Sequence, residues 1–397
     1  MAASWQSLPP ELQAEVLRRF AEGTESRHIK SALLVCKSFA AILQSCQTQL
    51  KLDFQDNLKL QTAEGLHSLL AAAAKRPGIA RVHASGLDDA CRAHDLATLA
   101  MVLQRLPAVE RLHCSCDGLT AHMLPTSAVA AIPNLRSLFH THPAALPAQL
   151  SSLSQLTQLE CEIESSTELP AHLSSLQALQ HFEIWGPTCI LPPGEEVRLR
   201  GLQVLPACRH LRCLHVSFLW LEDLAWVGGL TMLTRLELSN LHEEPGAAGH
   251  VDEYGHCLEV LPASVASFAA LTRLYLTSNE LLMLPTGPYQ QSLVELCLDD
   301  DPVLQIDEVL PVLEGMPCLS LVNLESHYLE LSEEQQQHGP NEEVVSTLAY
   351  DPYACRQLLP VLEGMPRLLE LSLEGMALSE EQRQELWERL PRCSMEF

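Results

Sequence analysis

One short pattern, L-x-x-L-x-L, recurs along the chain and limits its fold more than any other feature. Copies begin at Val109 (VERLHC), Leu135 (LRSLFH), Leu156 (LTQLEC), Leu179 (LQHFEI), Leu211 (LRCLHV), Leu233 (LTRLEL), Leu271 (LTRLYL), Leu293 (LVELCL), Leu319 (LSLVNL) and Leu368 (LLELSL). Successive starts are 26, 21, 23, 32, 22, 38, 22, 26 and 49 residues apart, and the 49 splits as 26 plus 23 if Val345 (VSTLAY) is a degenerate copy. The alternation L-x-L makes a short strand with every second side chain inward. One copy cannot bury its own apolar face, whereas stacked copies share a continuous core. Repetition therefore lets 397 residues exceed the roughly 250 to 300 at which a single compact core stops growing.

A second signature, L-P-x-x-L/V-x-x-L/F, precedes several copies at Leu146-Pro147, Leu169-Pro170 and Leu261-Pro262. The stretch Leu271 to Pro285, LTRLYLTSNELLMLP, meets L-x-x-L-x-L-x-x-N-x-L-x-x-L-P at every anchor. This resembles the leucine-rich repeat family, with best-formed repeats over 109–390. The resemblance implies an α/β solenoid, a leucine-rich-repeat horseshoe with short parallel strands on its concave face. Asn279 stands where the family uses an Asn to hydrogen-bond the turn; elsewhere that residue is displaced (Asn240) or replaced (Asp301).

Leu310 to Pro317 and Leu359 to Pro366 both read LPVLEGMP, and each precedes a strand and then LSEEQ (Leu331 to Gln335, Leu378 to Gln382). This identity indicates an internal duplication, with helices rather than extended turns on the convex side. Toward the N-terminus, Thr62 to Arg76 and Asp95 to Leu106 read as amphipathic helices, with Leu66, Leu69 and Leu70, then Leu96, Leu99, Val102, Leu103 and Leu106, at spacings of three and four.

Residues 5–46 leave the repeat. Leu8, Leu12, Val16, Leu17 and Phe20 form the apolar face of one helix, opened by Pro9-Pro10 and closed near Gly23; Ile29, Ala32, Leu33, Cys36, Phe39, Ile42 and Leu43 form another. The order Leu8-Pro9-Pro10-Glu11-Leu12, Val16-Leu17, then Leu34-Val35-Cys36-Lys37-Ser38-Phe39 resembles an F-box. That resemblance implies a small helical module over 1–47, ahead of a solenoid over 48–397, which docks on the Skp-type adaptor of a cullin ubiquitin ligase. It assigns Leu8, Pro9, Leu12, Val16, Leu17, Val35, Cys36 and Phe39 to adaptor-facing or core positions. The same helices also serve as the polar-faced cap that a solenoid end requires.

Charge narrows the classes of partner. Fifty acidic against 25 basic side chains give a net −25 at pH 7, which disfavours nucleic acid and anionic membrane as ligands. Residues 1–200 hold 19 acids and 16 bases, residues 201–397 hold 31 and 9, and all five lysines lie in the first 75 residues. The start, Met1-Ala-Ala-Ser-Trp-Gln-Ser, lacks the basic and apolar regions of a secretory signal, so a cytoplasmic or nuclear chain with reduced cysteines is expected. No phosphate loop, nucleophile elbow or H-E-x-x-H helix occurs. The nearest metal-like groupings are Cys208/His210/Cys213/His215, His113/Cys114/Cys116 and the loop His250, Asp252, Glu253, His256, Cys257. Period-2 alternation spreads the first along a strand instead of converging it, and no metal, cofactor or catalytic residue is assigned.

Binding in a solenoid is expected on the outward strand positions. These supply Phe139, Glu160, His181, Glu183, His215, Arg235, Glu237, Arg273, Tyr275 and Glu295 as partner-contacting candidates, because aromatic and Arg side chains on a rigid surface are the types enriched at binding hot spots. Two interruptions, Gly186 to Gly201 and Leu241 to Leu258, add loops beside that face. The expectation is a non-enzymatic substrate receptor for a protein with a basic patch. The alternative is a repeat scaffold of a cytoskeletal or ciliary axoneme assembly.

Overall fold

The computed structural model describes residues 49–53, 68–69, 71, 78–85, 93–114, 132–141, 148–188, 196–243, 258–299, 301, 306–325, 352–374, 376 and 378–397. Outside them lie the F-box-like positions from Leu8 to Phe39, the copy at Val345, Cys116, the loop from His250 to Cys257, the first LSEEQ, and most of the helix expected over 62–76, of which 68, 69 and 71 are helical. The chain divides into two compact units, residues 1–161 and 162–397.

In the first unit the strands run parallel and pair in chain order. β1 (Gln49–Asp53) pairs with β2 (Arg81–Ser85), β2 with β3 (Arg111–Cys114), and β3 with β4 (Ser137–Thr141); β5 (Gln158–Glu162) ends at the unit boundary. The helix α1 (Ala93–Gln104) overlaps the segment expected over Asp95 to Leu106, starting and ending two residues earlier, and buries Leu99, Val102 and Leu103. Inward anchors are buried as the pattern requires: Val109, Leu112 and Cys114; Leu135, Leu138 and His140; Leu156, Leu159 and Cys161. The first two strands belong to copies that the leucine pattern did not mark. Ile79, Val82 and Ala84 fill the three anchors of one, all buried, with Ala in place of the last Leu.

The second unit continues the same device. Its main ladder is β7 (His181–Trp185), β9 (Cys213–Leu221), β10 (Arg235–Glu243), β11 (Arg273–Tyr275), β12 (Glu295–Cys297), β13 (Leu321–Asn323), β14 (Glu370–Ser372) and β15 (Ser394–Glu396), all parallel. Two short strands, β6 (Thr167–Glu168) and β8 (Arg198–Arg200), form a side branch that joins the far end of β9. Strand entries share one junction: the carbonyls of Arg212, Thr234 and Thr272 each accept two backbone N–H groups from the following repeat. Backbone hydrogen bonds thereby fix the register while the leucines supply the burial, each Leu side chain contributing about 1.5 to 3 kcal/mol.

The return segments follow leucine spacing. Where apolar residues recur every third position, as at Leu173, Leu176 and Leu179 or Val265, Phe268 and Leu271, the chain forms short 3-10 helices at Ala171–Ser175 and Ala263–Ser267, whose three residues per turn stack those side chains. Where the spacing is mixed, as in Val309, Leu310, Val312, Leu313 and Met316, an α-helix forms. These helices are α2 (Ile306–Leu313) and α3 (Pro352–Glu363), on the duplicated LPVLEGMP segments, and α4 (Glu380–Arg389). The second LSEEQ is the start of α4: the Ser379 hydroxyl accepts from Gln382 N while the Gln382 side chain accepts from Ser379 N, a reciprocal capping box.

One repeat position, inside β9 and β10 and just beyond β11, takes a left-handed backbone conformation. Phe218, Asn240 and Ser278 are each seven residues beyond the first Leu of their copies, and all have left-handed φ, at 56°, 50° and 55°. Gly186 holds the same place one repeat earlier, where a Cβ would approach the Phe218 carbonyl oxygen to 2.1 Å, so only glycine fits.

Candidate functional site

The outward side chains of β7 and β9 to β12 form a continuous polar network on the second unit. Pairing places His181, Cys213, Arg235, Arg273 and Glu295 in one cross-strand row, and Glu183, His215, Glu237, Tyr275 and Cys297 in the next. Strand pleating holds these residues outward because their neighbours Phe182, Leu214, Leu236, Leu274 and Leu296 are fully buried. Eight of the ten expected contact residues thus meet on one face; Phe139 and Glu160 lie in the first unit.

The network runs from group to group. Glu183 Oε2 is 3.9 Å from His215 Nδ1, and His215 Nε2 is 3.3 Å from Glu237 Oε1. Arg235 Nη2 donates to Glu237 Oε2 at 2.8 Å, and its guanidinium lies 4.9 Å from the centre of the Tyr275 ring. The Tyr275 hydroxyl donates to Glu295 Oε2, whose other oxygen accepts from Arg273 Nε at 3.0 Å. Two residues outside the expected set extend it: the Trp185 ring lies over His215 with centroids 6.2 Å apart, and Asp299 accepts from the Thr277 hydroxyl at 2.8 Å. Trp185 at the end of β7 and Asp299 in the turn after β12 occupy the next alternate position beyond the two that the six-residue pattern exposes.

Electrostatics follow from that wiring. The neighbouring His215 imidazole holds the Glu183 carboxyl below its usual value, burial opposing it. Burial alone pulls the Arg235 guanidinium down, but its hydrogen bond to Glu237 and the surrounding negative groups outweigh this and raise it. Tyr275 is pushed up to about 12 by burial and then by its bond to Glu295. Cys297 also rises to about 12, through burial and the charges of Asp299 and Glu295, so it stays a thiol at neutral pH rather than a reactive thiolate. Such half-exposed ion pairs add little stability singly. Their effect is to hold side chains still, which lowers the entropy cost of binding.

The two guanidiniums on this face are each bound to a carboxylate, and Glu183 adds a third carboxylate to the face. The face therefore presents an excess of acid. In the first unit, His83, His113 and Phe139 stack across β2, β3 and β4 with centroid separations of 4.3 and 3.9 Å and interplanar angles of 15° and 1°. On β5, Gln158 donates to Glu160. Of the candidate metal groupings, Cys208 is buried with its thiol 3.5 Å from Leu173 O and Cys114 is buried in the core, while Cys116 and the loop from His250 to Cys257 lie outside the described residues. Among the described residues no group of three or more His, Cys, Asp or Glu is placed to hold a metal ion. Among them also, no helix is long and apolar enough to cross a membrane.

A parallel ladder built by repeated L-x-x-L-x-L, with a polar outward face, defines a leucine-rich-repeat solenoid. No family model matches the chain, and no curated protein matches its sequence. Among solved structures the chain is similar to a leucine-rich-repeat protein of Leptospira interrogans, at 13% identity over 91% of this chain and 98% of that one, with a TM-score of 0.34. It is similar to an internalin of Listeria monocytogenes at 12% identity over 97% and 87%, with a TM-score of 0.45. It is also similar to a chain of the Toll–Spätzle complex of Drosophila at 13% identity over 73% and 38%, with a TM-score of 0.49. At these scores the fold assignment rests on this chain's own strand register and buried anchors.

Proposed function

We propose that the chain is a non-catalytic protein receptor whose repeat face selects a partner, and that it acts as the substrate-recognition subunit of a Skp–cullin–F-box ubiquitin ligase in the cytoplasm or nucleus. The observation that carries the receptor reading is the network from Glu183 to Arg273, a rigid acidic surface with Trp185 and Tyr275 set in it. Such a surface fits a protein segment carrying Lys or Arg. The ligase reading is supported by motif order: the F-box-like Leu8-Pro9-Pro10-Glu11-Leu12 and Val35-Cys36 lie ahead of the repeats, so one end addresses the adaptor and the other the target.

Co-purification of the intact chain with a Skp-type adaptor tests the finer reading. Binding is expected at micromolar concentration and is lost in the double variant Leu12→Asp, Val16→Asp, with the circular dichroism of the solenoid unchanged. Failure of the intact chain to bind, or equal binding by the double variant, rejects the ligase role. Co-fractionation with microtubules or axonemes after deletion of residues 1–46 would then favour the scaffold.

A further inference from the structure

The two units differ in charge far more than the two halves of the sequence do. Residues 1–161 carry thirteen acidic against fourteen basic side chains, a net of +1, so residues 162–397, with 37 against 11, carry −26. Three of the first unit's cations lie on its strand face. Arg81 on β2 lies directly opposite Arg111 on β3, and Lys51 on β1 lies opposite His83, which continues through His113 to Phe139. All three cations are exposed. Among the described residues none of them forms an ion pair or a side-chain hydrogen bond.

This contrasts with the second unit, where Arg235 and Arg273 are each held by a glutamate. Adjacent parallel strands stand about 4.8 Å apart, so two guanidiniums in register repel, and like charges directly opposite destabilise a sheet. Among the described residues Glu110, next to Arg111 in sequence, forms no ion pair with it and sits in the turn before β3. In a chain with twice as many acids as bases, an uncompensated row of cations calls for an anionic ligand. Beside that row the stacked His83, His113 and Phe139 rings make a firm ridge of ring edges. Burial, followed by the charge of Lys51 for His83 and of His83 for His113, keeps both imidazoles below their ordinary value. At neutral pH the ridge is uncharged and offers apolar and hydrogen-bonding contact, while the charge comes from Lys51, Arg81 and Arg111.

We infer that the strand face of β1 to β4 is a second docking surface, which takes an extended acidic peptide, its carboxylates on Lys51, Arg81 and Arg111 and an apolar or aromatic side chain against the His83–His113–Phe139 ridge. The three cation-bearing strands span only about 10 Å, the reach of two or three carboxylates along an extended chain. A long polyanion would run on into the field of a molecule with net charge −25, so the occupant is a peptide and not a nucleic acid. The inference rests on the protein-binding reading of the solenoid but not on residues 1–47. A failed adaptor experiment leaves it standing, and its own failure leaves the adaptor result untouched.

Fluorescence polarisation on the full chain supplies the test, with a labelled peptide alternating Glu and Gly around one Phe. Its Gln-for-Glu and Lys-for-Glu counterparts and a labelled oligo-thymidine are the competing probes. The Glu peptide is expected to bind, and the double variant Arg81→Gln, Arg111→Gln to weaken it by about tenfold or more. Arg209→Gln, on an exposed turn of the other unit, is expected to leave binding unchanged. The same double variant should melt at a higher temperature than the parent because the facing guanidiniums no longer repel. A merely structural role for these arginines predicts the opposite shift. No binding of the Glu peptide, equal binding by the double variant, or tighter binding of the oligonucleotide or the Lys peptide through these arginines overturns the inference.

Discussion

Asn279 concentrates more of the fold's specificity than any leucine. It is 1% exposed, and its amide nitrogen donates to the carbonyls of Leu276 at 2.7 Å, Leu238 at 2.8 Å and Thr277 at 3.2 Å, while its oxygen accepts from Leu241 N at 3.2 Å. One side chain thus closes its own turn and ties it to the preceding repeat. Asp301 occupies the equivalent place one copy later, buried at 4% exposure, and its Oδ1 accepts from Leu281 N at 3.0 Å. The replacement keeps the accepting half of the Asn role; an ionised carboxylate has no hydrogen to supply the donating half. Asn279→Ala should therefore cost about 3 to 5 kcal/mol, because it strands buried backbone groups. Asp301→Asn should add about 1 kcal/mol by restoring a donor. Urea midpoints decide both, and a destabilised Asp301→Asn would show that the two turns are not equivalent. The sequence made Asn279 visible because every anchor around it was intact. It gave no warning of the left-handed bend at Phe218, since a bulky aromatic is the last residue type that propensity would place there.

At the level of elements, the stacked pair on β2 and β3 makes acid sensitivity a property of the sheet. Folding disfavours the charged form of His83 and His113, so stability is complete above their ordinary value of 6.5 and is lost as pH falls through the window below it. His242, stacked on Trp220 with centroids 5.0 Å apart and lowered by burial, acts in the same direction on the second unit. Glu183 supplies a separate limb. Its folded carboxyl is depressed, so its contribution holds above the ordinary 4.5 and disappears as pH falls below that value. Denaturant midpoints measured against pH should therefore fall in two stages. The pair of changes His83→Gln and His113→Gln should flatten the upper stage, leaving the His242 share, and should not move the lower one. A profile unchanged by that pair would refute the assignment. These two histidines differ in how readable they were. His113 follows an intact Val109-Glu110-Arg111-Leu112, whereas His83 lies within a copy whose last anchor shrank to Ala84, so only the structure placed it in the stack. The return segments were more legible, because leucines three apart and leucines at mixed spacing demand different helices, and the duplicated LPVLEGMP segments duly form α2 and α3.

On the scale of the molecule, the division of charge between the units sharpens what composition alone indicated. Counting by halves of the sequence dilutes the contrast because the cut falls inside the second unit; counting by compact units gives +1 and −26. A body with that excess of one sign repels itself, and added salt shortens the range of the repulsion to a Debye length of about 10 Å at 0.1 M. Four of the five tryptophans, Trp185, Trp220, Trp226 and Trp387, lie in the second unit, so tryptophan fluorescence reports mainly on its unfolding. The thermal transition followed by that signal should rise as NaCl increases from about 20 to about 300 mM, since screening relieves the folded state more than the expanded one. Binding of a cationic ligand to the same unit must respond in the opposite sense. A labelled peptide alternating Arg and Gly should lose affinity over that salt range, and Glu237→Gln with Glu295→Gln should reduce both its affinity and the steepness of the salt dependence. Opposite signs for stability and binding are the signature of a surface kept acidic for recognition at a cost to its own folding. An affinity for the Arg peptide that holds constant or strengthens with salt would mean that the Glu183 to Arg273 network serves only to order the strands.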